Sequence, residues 1–393
     1  MTWKVCCAAF LCGSLVAAIA VWSTANACFV PQDGDSRFFG NTLAASDGYF
    51  AVGDSTANRV TLFRRNPGGR WSRWQTITPP VGSDAARAGS GFGSAIALDG
   101  TTLAIGAQVT SILSQPDIPS PETLDRPETP NQYRANRTEL ASAGDAYTGS
   151  VFATSILEDS LAPLQEISIP DRNIVGHAVS VSGDRVAIRS SFTDGLGRQR
   201  RRVLIADLNT RETTDIIEAP TLQAGSSFGT SVDLNDFTLV IGAPYDPPEG
   251  AAWIYPLEGE LEPYRLPGKA GSLAFAGGSV ALGDGFFAIS SATSWGRSYT
   301  SIVSGDRVPI LLNMGGRLSS NGRSLSIARV SFANGERAGL VRVYDILRHG
   351  APRLVKEIPD GEQAALGTNF VAVLKVIRTR SQDVRREVCI VPL

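Results

Sequence analysis

One short pattern recurs along this chain in a fixed order, and it constrains the fold more than any other feature of the sequence. Each copy has two short runs of alternating apolar residues joined by a tight turn, followed by a third apolar run. The copies begin, in chain order, at Phe39, Phe92, Val175, Phe228, Ala276, Gly315 and Leu366. A period of this kind is typical of repeat architectures, in which each copy is one supersecondary unit.

The turns within the copies indicate β-hairpins, because glycine beside Asp or Asn is the chemistry of two-residue hairpin connections. These pairs are Asp47-Gly48, Asp99-Gly100, Gly183-Asp184, Asp284-Gly285 and Asn321-Gly322. A fourth strand ends at a proline in most copies. Four antiparallel strands per copy form the blade of a β-propeller, so the sequence predicts an all-β, seven-bladed propeller of four-stranded antiparallel blades.

The seventh copy stops after its third strand, so its fourth strand must come from elsewhere if the ring is to close without an exposed edge. The segment from Cys28 to Asp33 has the strand-then-proline form of the other fourth strands. It would place Cys28 beside Cys389, and the other three cysteines all precede residue 28. We therefore predict closure by the N-terminal strand and a Cys28–Cys389 disulfide that stabilises the fold by about 4 to 5 kcal/mol in the chain-entropy model.

The first 27 residues have the pattern of an export signal: Lys4 precedes an apolar run, and Ala25 and Ala27 occupy the positions that a signal peptidase reads. Cleavage after Ala27 predicts a secreted, periplasmic or cell-surface protein. An uncleaved signal would tether the chain to a membrane, and so would a lipid on Cys28, which excludes the disulfide. The predicted units are the signal 1–27, the closing strand 28–35 and the blades 36–80, 89–171, 172–220, 224–268, 269–313, 314–360 and 361–393.

The composition narrows the function classes. The chain has 36 Lys and Arg against 38 Asp and Glu, a net charge of −2, which gives no electrostatic reason to expect a nucleic-acid partner. It has only two histidines, which argues against a histidine metal centre or a Ser-His-Asp site. We predict no metal, no cofactor and no enzymatic activity, and we interpret His177 as a packed or hydrogen-bonded residue.

The repeats resemble FG-GAP repeats, the blades of the integrin α-chain propeller and of many exported bacterial proteins. Both halves of the motif occur in the second and fourth copies, as Phe92-Gly93 with Gly106-Ala107 and Phe228-Gly229 with Gly242-Ala243-Pro244. The resemblance covers essentially the whole mature chain and implies an adhesion or interaction module for an extracellular protein or glycan. Integrin-type blades often carry a calcium loop with several acids, whereas the connections here have one acid each, so no calcium site is predicted.

One face of such a propeller carries the loops from second to third strands and the connections between blades, and loops on a rigid scaffold concentrate function. The proline-rich segment 108–148 on this face is either a binding loop or a neutral insertion. On this face a loop of blade three is predicted to carry Arg198, Arg200, Arg201 and Arg202, and a loop of blade seven to carry Arg378, Arg380, Arg385 and Arg386. These arginines are either solvated hairpin tips or a site for carboxylate, sulfate or phosphate groups. Trp295 in the blade five loop is a candidate carbohydrate platform. The candidate ligand-binding residues are Arg198, Arg200, Arg201, Arg202, Tyr245, Asp246, Trp295, Arg378 and Arg380.

A function of another class stays open: a hydrolase or lyase that uses paired carboxylates in the central channel. The sequence places one acid, Asp233, on an innermost strand. Trp71, Trp74 and Trp253 are expected to pack between blades rather than to bind sugar.

Overall fold

A computed structural model describes residues 27–86, 90–109, 148–170, 175–220, 227–247, 249–259, 262–267, 276–292, 298–304, 309–333, 336–347, 351–378 and 384–393. In these residues the chain forms 28 strands and one 3-10 helix, Asp84–Ala86. The first fourteen strands are β1 Ala27–Phe29, β2 Thr42–Ser46, β3 Tyr49–Asp54, β4 Arg59–Arg65, β5 Trp71–Ile77, β6 Phe92–Asp99, β7 Thr102–Val109, β8 Thr148–Ser155, β9 Gln165–Glu166, β10 Val175–Ser182, β11 Arg185–Thr193, β12 Gln199–Asp207, β13 Thr213–Glu218 and β14 Ser231–Leu234. The others are β15 Thr238–Ala243, β16 Ala251–Pro256, β17 Tyr264–Pro267, β18 Ser279–Gly283, β19 Phe286–Ala292, β20 Ser298–Val303, β21 Ile310–Leu312, β22 Arg317–Ser320, β23 Ser324–Ala333, β24 Glu336–Asp345, β25 Arg353–Pro359, β26 Gly361–Gly367, β27 Phe370–Arg378 and β28 Val384–Pro392.

The strands form seven four-stranded antiparallel sheets, and each sheet is one blade. Blades one to six each take four consecutive strands, beginning at β2, β6, β10, β14, β18 and β22. Blade seven combines β26, β27 and β28 with β1. The first strands of neighbouring blades contact one another in a closed circle, in which β26 returns to β2. The predicted seven-bladed propeller is confirmed.

The N-terminal strand closes the ring, as predicted. Strand β1 pairs antiparallel with β28, and Cys28 lies directly opposite Cys389. The two cysteines form a disulfide that joins residues 361 positions apart. The first described segment and the last strand of the chain are therefore held together both by a sheet and by a covalent bond.

The hydrophobic core is divided among the boundaries between blades, because both faces of every blade pack against a neighbour. Seven clusters of buried apolar side chains fill the seven boundaries. Trp71 packs at the boundary of blades seven and one, with its ring 4.6 Å from that of Phe370. Trp74 packs at the boundary of blades one and two, and Trp253 packs at the boundary of blades three and four. All three tryptophans pack between blades, as the sequence predicted.

The two halves of the repeat motif meet across the boundary between blades. A Cβ added at Gly242 in blade four would lie 2.1 Å from the carbonyl oxygen of Gly277 in blade five. A Cβ added at Gly106 in blade two would lie 2.2 Å from the carbonyl oxygen of Gly176 in blade three. A side chain does not fit so close to a backbone oxygen, so glycine at these positions lets neighbouring blades approach. The motif is thus a packing device between consecutive copies.

No helix among the described residues is both long and apolar enough to cross a lipid bilayer.

Candidate functional site

The loop face is defined here as the end of the propeller at which second strands lead into third strands and each blade leads into the next. The sequence predicted that Arg198, Arg200, Arg201 and Arg202 lie in one loop of blade three on this face. This prediction is wrong. Arg200, Arg201 and Arg202 lie in β12, which pairs along its whole length with β11. Only Arg198 lies in the connecting loop, where its Nε donates to Asp194 Oδ2 at 2.9 Å. The four residues therefore do not form one flexible binding loop.

Arg202 is a structural residue. Its side chain is buried, with 4% of the residue exposed. Its Nη2 donates to the carbonyl oxygen of Pro170 at 2.9 Å, and its guanidinium lies 4.7 Å from the centroid of the Phe192 ring. Because these contacts occupy the charged group inside blade three, Arg202 is not available to a partner.

His177, Arg189 and Arg201 lie near one another in blade three, and the sequence analysis had singled out only His177 and Arg201. His177 of β10 is half-buried, and burial first, then the charges of Arg189 and Arg201, lower its pKa to about 4. Burial and the neighbouring Arg201 also lower the pKa of Arg189, to about 10. The neutral imidazole fits the predicted packed role of His177. Arg189 on β11 adds a positive charge beside His177, and the sequence analysis did not identify it as a candidate residue.

The two predicted residues of blade four have different roles. Tyr245 is exposed, with 62% of its surface accessible. Asp246 is buried and accepts hydrogen bonds from Trp253 Nε1 and Arg265 Nε, each at 3.1 Å. Asp246 therefore anchors the loop between β15 and β16 and does not face a partner, which corrects its prediction as a ligand-binding residue.

Several predicted positions lie outside the described residues: Trp295, Arg380 and segment 110–147 of the proline-rich loop. Arg378 is the last residue of β27. Nearby, the half-buried Arg386 donates from Nη1 to the carbonyl oxygen of Arg37 at 2.8 Å, which ties blade seven to the connection into blade one. Burial lowers the pKa of Arg386, and the nearby Glu362 carboxylate opposes this shift.

The largest cavity described on the loop face lies among blades four, five and six, with Glu362 of blade seven at its edge; we call it the blade 4–6 cavity. Its volume is about 870 Å³. Its lining includes charged, hydroxyl and aromatic side chains, among them Tyr245, Ser291, Ser298, Arg317, Arg329 and Glu362.

Two arginines give this cavity its charge. Arg317 is the first residue of β22, and Arg329 lies on the adjacent β23. Among the described residues, no acidic side chain forms a salt bridge with either of them. The surrounding protein lowers the pKa of Arg317 by desolvation, and the charge of Glu362 opposes this. Glu362 itself pairs with Arg337 Nη2 at 2.6 Å, so its negative charge is largely balanced by another residue.

The sequence contained an overlooked signal for this cavity. Arg189 and Ser290 stand where the complete copies have the second glycine, Gly106 or Gly242. Ser291 and Arg329 stand where those copies have the alanine that follows it. The copies that have lost the motif therefore carry polar and charged groups at the same place on the loop face.

The central channel contains more acids than the sequence predicted. Asp99, Asp233 and Asp284 line a cavity of about 460 Å³ at the end opposite the loop face. Asp99 ends the innermost strand β6 and Glu362 lies on the innermost strand β26, so the prediction that Asp233 is the one acid on such a strand is wrong. Asp233 accepts hydrogen bonds from Ser180 Oγ at 2.8 Å and from the backbone N–H of Leu282 at 2.7 Å. Its carboxyl group joins blades three, four and five and is engaged in structure.

Burial raises the pKa of Asp233 above its ordinary value, although its hydrogen bonds oppose this shift. Between the ordinary pKa and the raised one, the unfolded chain loses a proton that the folded chain keeps. The contribution of Asp233 to the free energy of unfolding is therefore expected to fall as pH rises through this interval and then to level off. Asp233→Asn removes the carboxyl group and with it this pH-dependent part of the free energy of unfolding.

Urea unfolding at a series of values from about pH 3 to about pH 8 measures the effect. The difference between wild type and Asp233→Asn is expected to change with pH, whereas Asp215→Asn, at an exposed position on β13, provides the background slope. Parallel curves for wild type and Asp233→Asn would contradict the raised pKa.

No protein-family model matches this sequence, and no curated protein matches it. Solved structures similar in fold include Kuenenia stuttgartiensis hydrazine synthase, with 10% identity, a TM-score of 0.48 and coverage of 89% of this chain and 94% of that one. An acylaminoacyl peptidase in complex with Z-Gly-Gly-Phe-chloromethyl ketone has 11% identity, a TM-score of 0.46 and coverage of 88% and 50%. The β-propeller domain of the trilobed protease from Pyrococcus furiosus has 9% identity, a TM-score of 0.43 and coverage of 88% and 92%. This chain thus spans about half the length of the acylaminoacyl peptidase chain.

These comparisons correct the prediction that the chain is not an enzyme. Propellers similar in architecture occur in proteins whose names are those of a synthase, a peptidase and a protease. At this level of similarity the likeness concerns architecture, and it assigns no reaction or substrate to this chain.

Proposed function

We propose that this chain is an exported FG-GAP-type propeller that acts as an adhesion or interaction module and binds an acidic extracellular glycan or protein through its loop face. The observation that carries the proposal is the positive charge of Arg189, Arg317 and Arg329 at that face. Among the described residues, none of the three is in a salt bridge, although the whole chain has a net charge of −2. A local cationic surface on a nearly neutral protein attracts an anionic partner and orients it.

Two further features support an exported module. The first 27 residues have the pattern of a signal peptide, and the disulfide suits an oxidising compartment. The ordered FG-GAP-like motifs of blades one, two and four support the family assignment, because the first half of each motif packs against the preceding blade and the second half against the following blade. A rigid scaffold of this kind holds the groups of one face in fixed positions for a partner.

The test uses the chain from Cys28 to Leu393 on an array of acidic and neutral glycans and extracellular proteins. We expect binding to acidic members, weakened at least tenfold when Arg189, Arg317 and Arg329 are all replaced by glutamine. Higher salt should weaken the same binding, because it screens exposed charges.

A matched control replaces three arginines at the opposite end of the propeller, Arg70, Arg211 and Arg323, by glutamine. It changes the net charge by the same amount, and we expect it to bind like the wild type. Equal loss in both triple variants, or a preference for neutral members, would contradict an acidic partner on the loop face. An array with no bound member would contradict the interaction module itself.

A further inference from the structure

We infer that the blade 4–6 cavity binds the carboxylate and hydroxyl groups of an acidic sugar residue, of the uronic acid type. This inference rests on the proposed function, because it names the part of the partner that the loop face would recognise.

The dimensions of the cavity suit a small polar ligand. Its volume of about 870 Å³ falls within the range of roughly 300–1,000 Å³ that is common for small-molecule sites. Its walls come from strands of three blades held by the packed boundaries between them. The described walls of the site are therefore largely preformed.

Arg317 and Arg329 supply the anion specificity. A guanidinium group donates two parallel N–H bonds to a carboxylate, which gives both direction and affinity. Arg317 on β22 pairs with Ala328 on β23, and Arg329 is the next residue, so the two arginine side chains start from opposite faces of one rigid sheet. Both residues line the cavity. Neither is in a salt bridge with a described acid, so a bound carboxylate would not have to displace one.

The serines of blade five provide an independent observation. Ser290 Oγ accepts the backbone N–H of Gly316 at 2.8 Å, and Ser298 Oγ accepts that of Gly315 at 3.2 Å. Ser291 also lines the cavity, with only 3% of its surface exposed, yet its Oγ has no hydrogen-bond partner. A buried hydroxyl without a partner is costly, and such groups in native proteins call for an explanation. A ligand hydroxyl would complete its hydrogen bonding.

The remaining groups favour a sugar acid over a simple anion. The exposed ring of Tyr245 at the edge offers an apolar face for a pyranose ring. Glu362 is held by Arg337 and presents acceptor oxygens to sugar hydroxyls.

The test is isothermal titration of the chain from Cys28 to Leu393 with glucuronate, and with glucose and acetate as separate probes. We expect glucuronate to bind, and we expect glucose and acetate to bind at least tenfold more weakly, because each lacks one of the two recognised groups. Arg317→Gln and Arg329→Gln should each weaken glucuronate binding at least tenfold, and Ser291→Ala should weaken it by about threefold to tenfold.

Arg323→Gln is the matched control, because Arg323 lies in the same blade at the opposite end and is exposed. We expect it to bind glucuronate as the wild type does, and thermal unfolding should show that all four variants remain folded. Ser291→Ala removes a hydroxyl without removing charge, so it tests the cavity even if an arginine variant fails to fold. Equal weakening by Arg323→Gln and Arg329→Gln would indicate diffuse charge and overturn the inference.

Failure of the inference and failure of the proposed function give different results. If an acidic array member binds while glucuronate neither binds at up to about 10 mM nor competes, the cavity assignment is wrong and the interaction module stands. If glucuronate binds with the expected variant pattern but no array member does, the cavity binds a small ligand and the interaction module is wrong. If neither binds, both are wrong.

Discussion

Replacing Cys28 and Cys389 together by serine is expected to lower the free energy of unfolding by about 4–5 kcal/mol, the upper end of the effect of a single disulfide. The bond joins residues 361 positions apart and so closes nearly the whole chain into one loop. Its loss therefore increases the conformational entropy of the unfolded chain. The folded state also depends on it, because β1 is only three residues long and alone completes blade seven. Without the bond, that strand is held by a short sheet pairing and the packing of Phe29.

Guanidinium unfolding of the chain from Cys28 to Leu393 measures this effect, with wild type, double variant and reduced wild type in parallel. This chain contains no other cysteine, so a reductant acts on one bond. Reduced wild type should match the double variant. If the free energy of unfolding fell by less than about 1 kcal/mol in both the double variant and the reduced wild type, the ring would close without the disulfide. That result would contradict the role of the disulfide in holding β1 in blade seven.

The second large effect is expected for Gly242→Ala and Gly106→Ala, each lowering the free energy of unfolding by about 1–3 kcal/mol or more. The new methyl group would lie 2.1 Å from the Gly277 carbonyl oxygen in one case and 2.2 Å from the Gly176 carbonyl oxygen in the other. Because the obstructing atom belongs to the backbone of the next blade, relief requires that the two blades separate.

Gly195→Ala is the matched control, since no heavy atom lies within 4 Å of a Cβ placed there and its φ is not in the left-handed region. It should unfold within about 0.5 kcal/mol of the wild type. If Gly242→Ala unfolded like Gly195→Ala, the interlocking of the motif between blades would be wrong, and the ordered repeats would need another explanation.

The architecture was predictable because each of its determinants is local in the sequence. The Asp-Gly and Asn-Gly pairs mark hairpins, and Gly48, Gly100 and Gly285 adopt the positive φ that such turns require. The missing fourth strand of the last copy could be inferred from the order of strands alone. Seven blades, closure by the N-terminal strand and the cysteine pair all follow from such local signals.

The candidate site was less predictable, because it depends on which side chains meet across blades. A run of arginines at 200–202 resembles a charged loop, but the strand pairing of β12 buries Arg202 against Phe192 and Pro170. Asp246 resembles a surface acid, but Trp253 and Arg265 bind it. Arg317, Arg329 and Ser291 are separated in the sequence, and only the arrangement of blades five and six brings them to one cavity.

Local inconsistency with the repeat was the better guide to this cavity. Complete copies place Gly and Ala where blades must approach closely, whereas blades three, five and six carry Arg189, Ser291 and Arg329 at these positions. A sequence that departs from its own structural rule at one place often does so for function. These substitutions all lie at the loop face, where we propose that a partner binds.

The measurement that tests this account most directly is a crystal structure of the chain from Cys28 to Leu393 grown with saturating glucuronate. We predict one ring of seven four-stranded blades, with the sugar in the blade 4–6 cavity, its carboxylate within hydrogen-bond distance of Arg317 or Arg329 and a hydroxyl at Ser291 Oγ. A cavity that stays without the sugar, or a sugar bound at another surface, would contradict it.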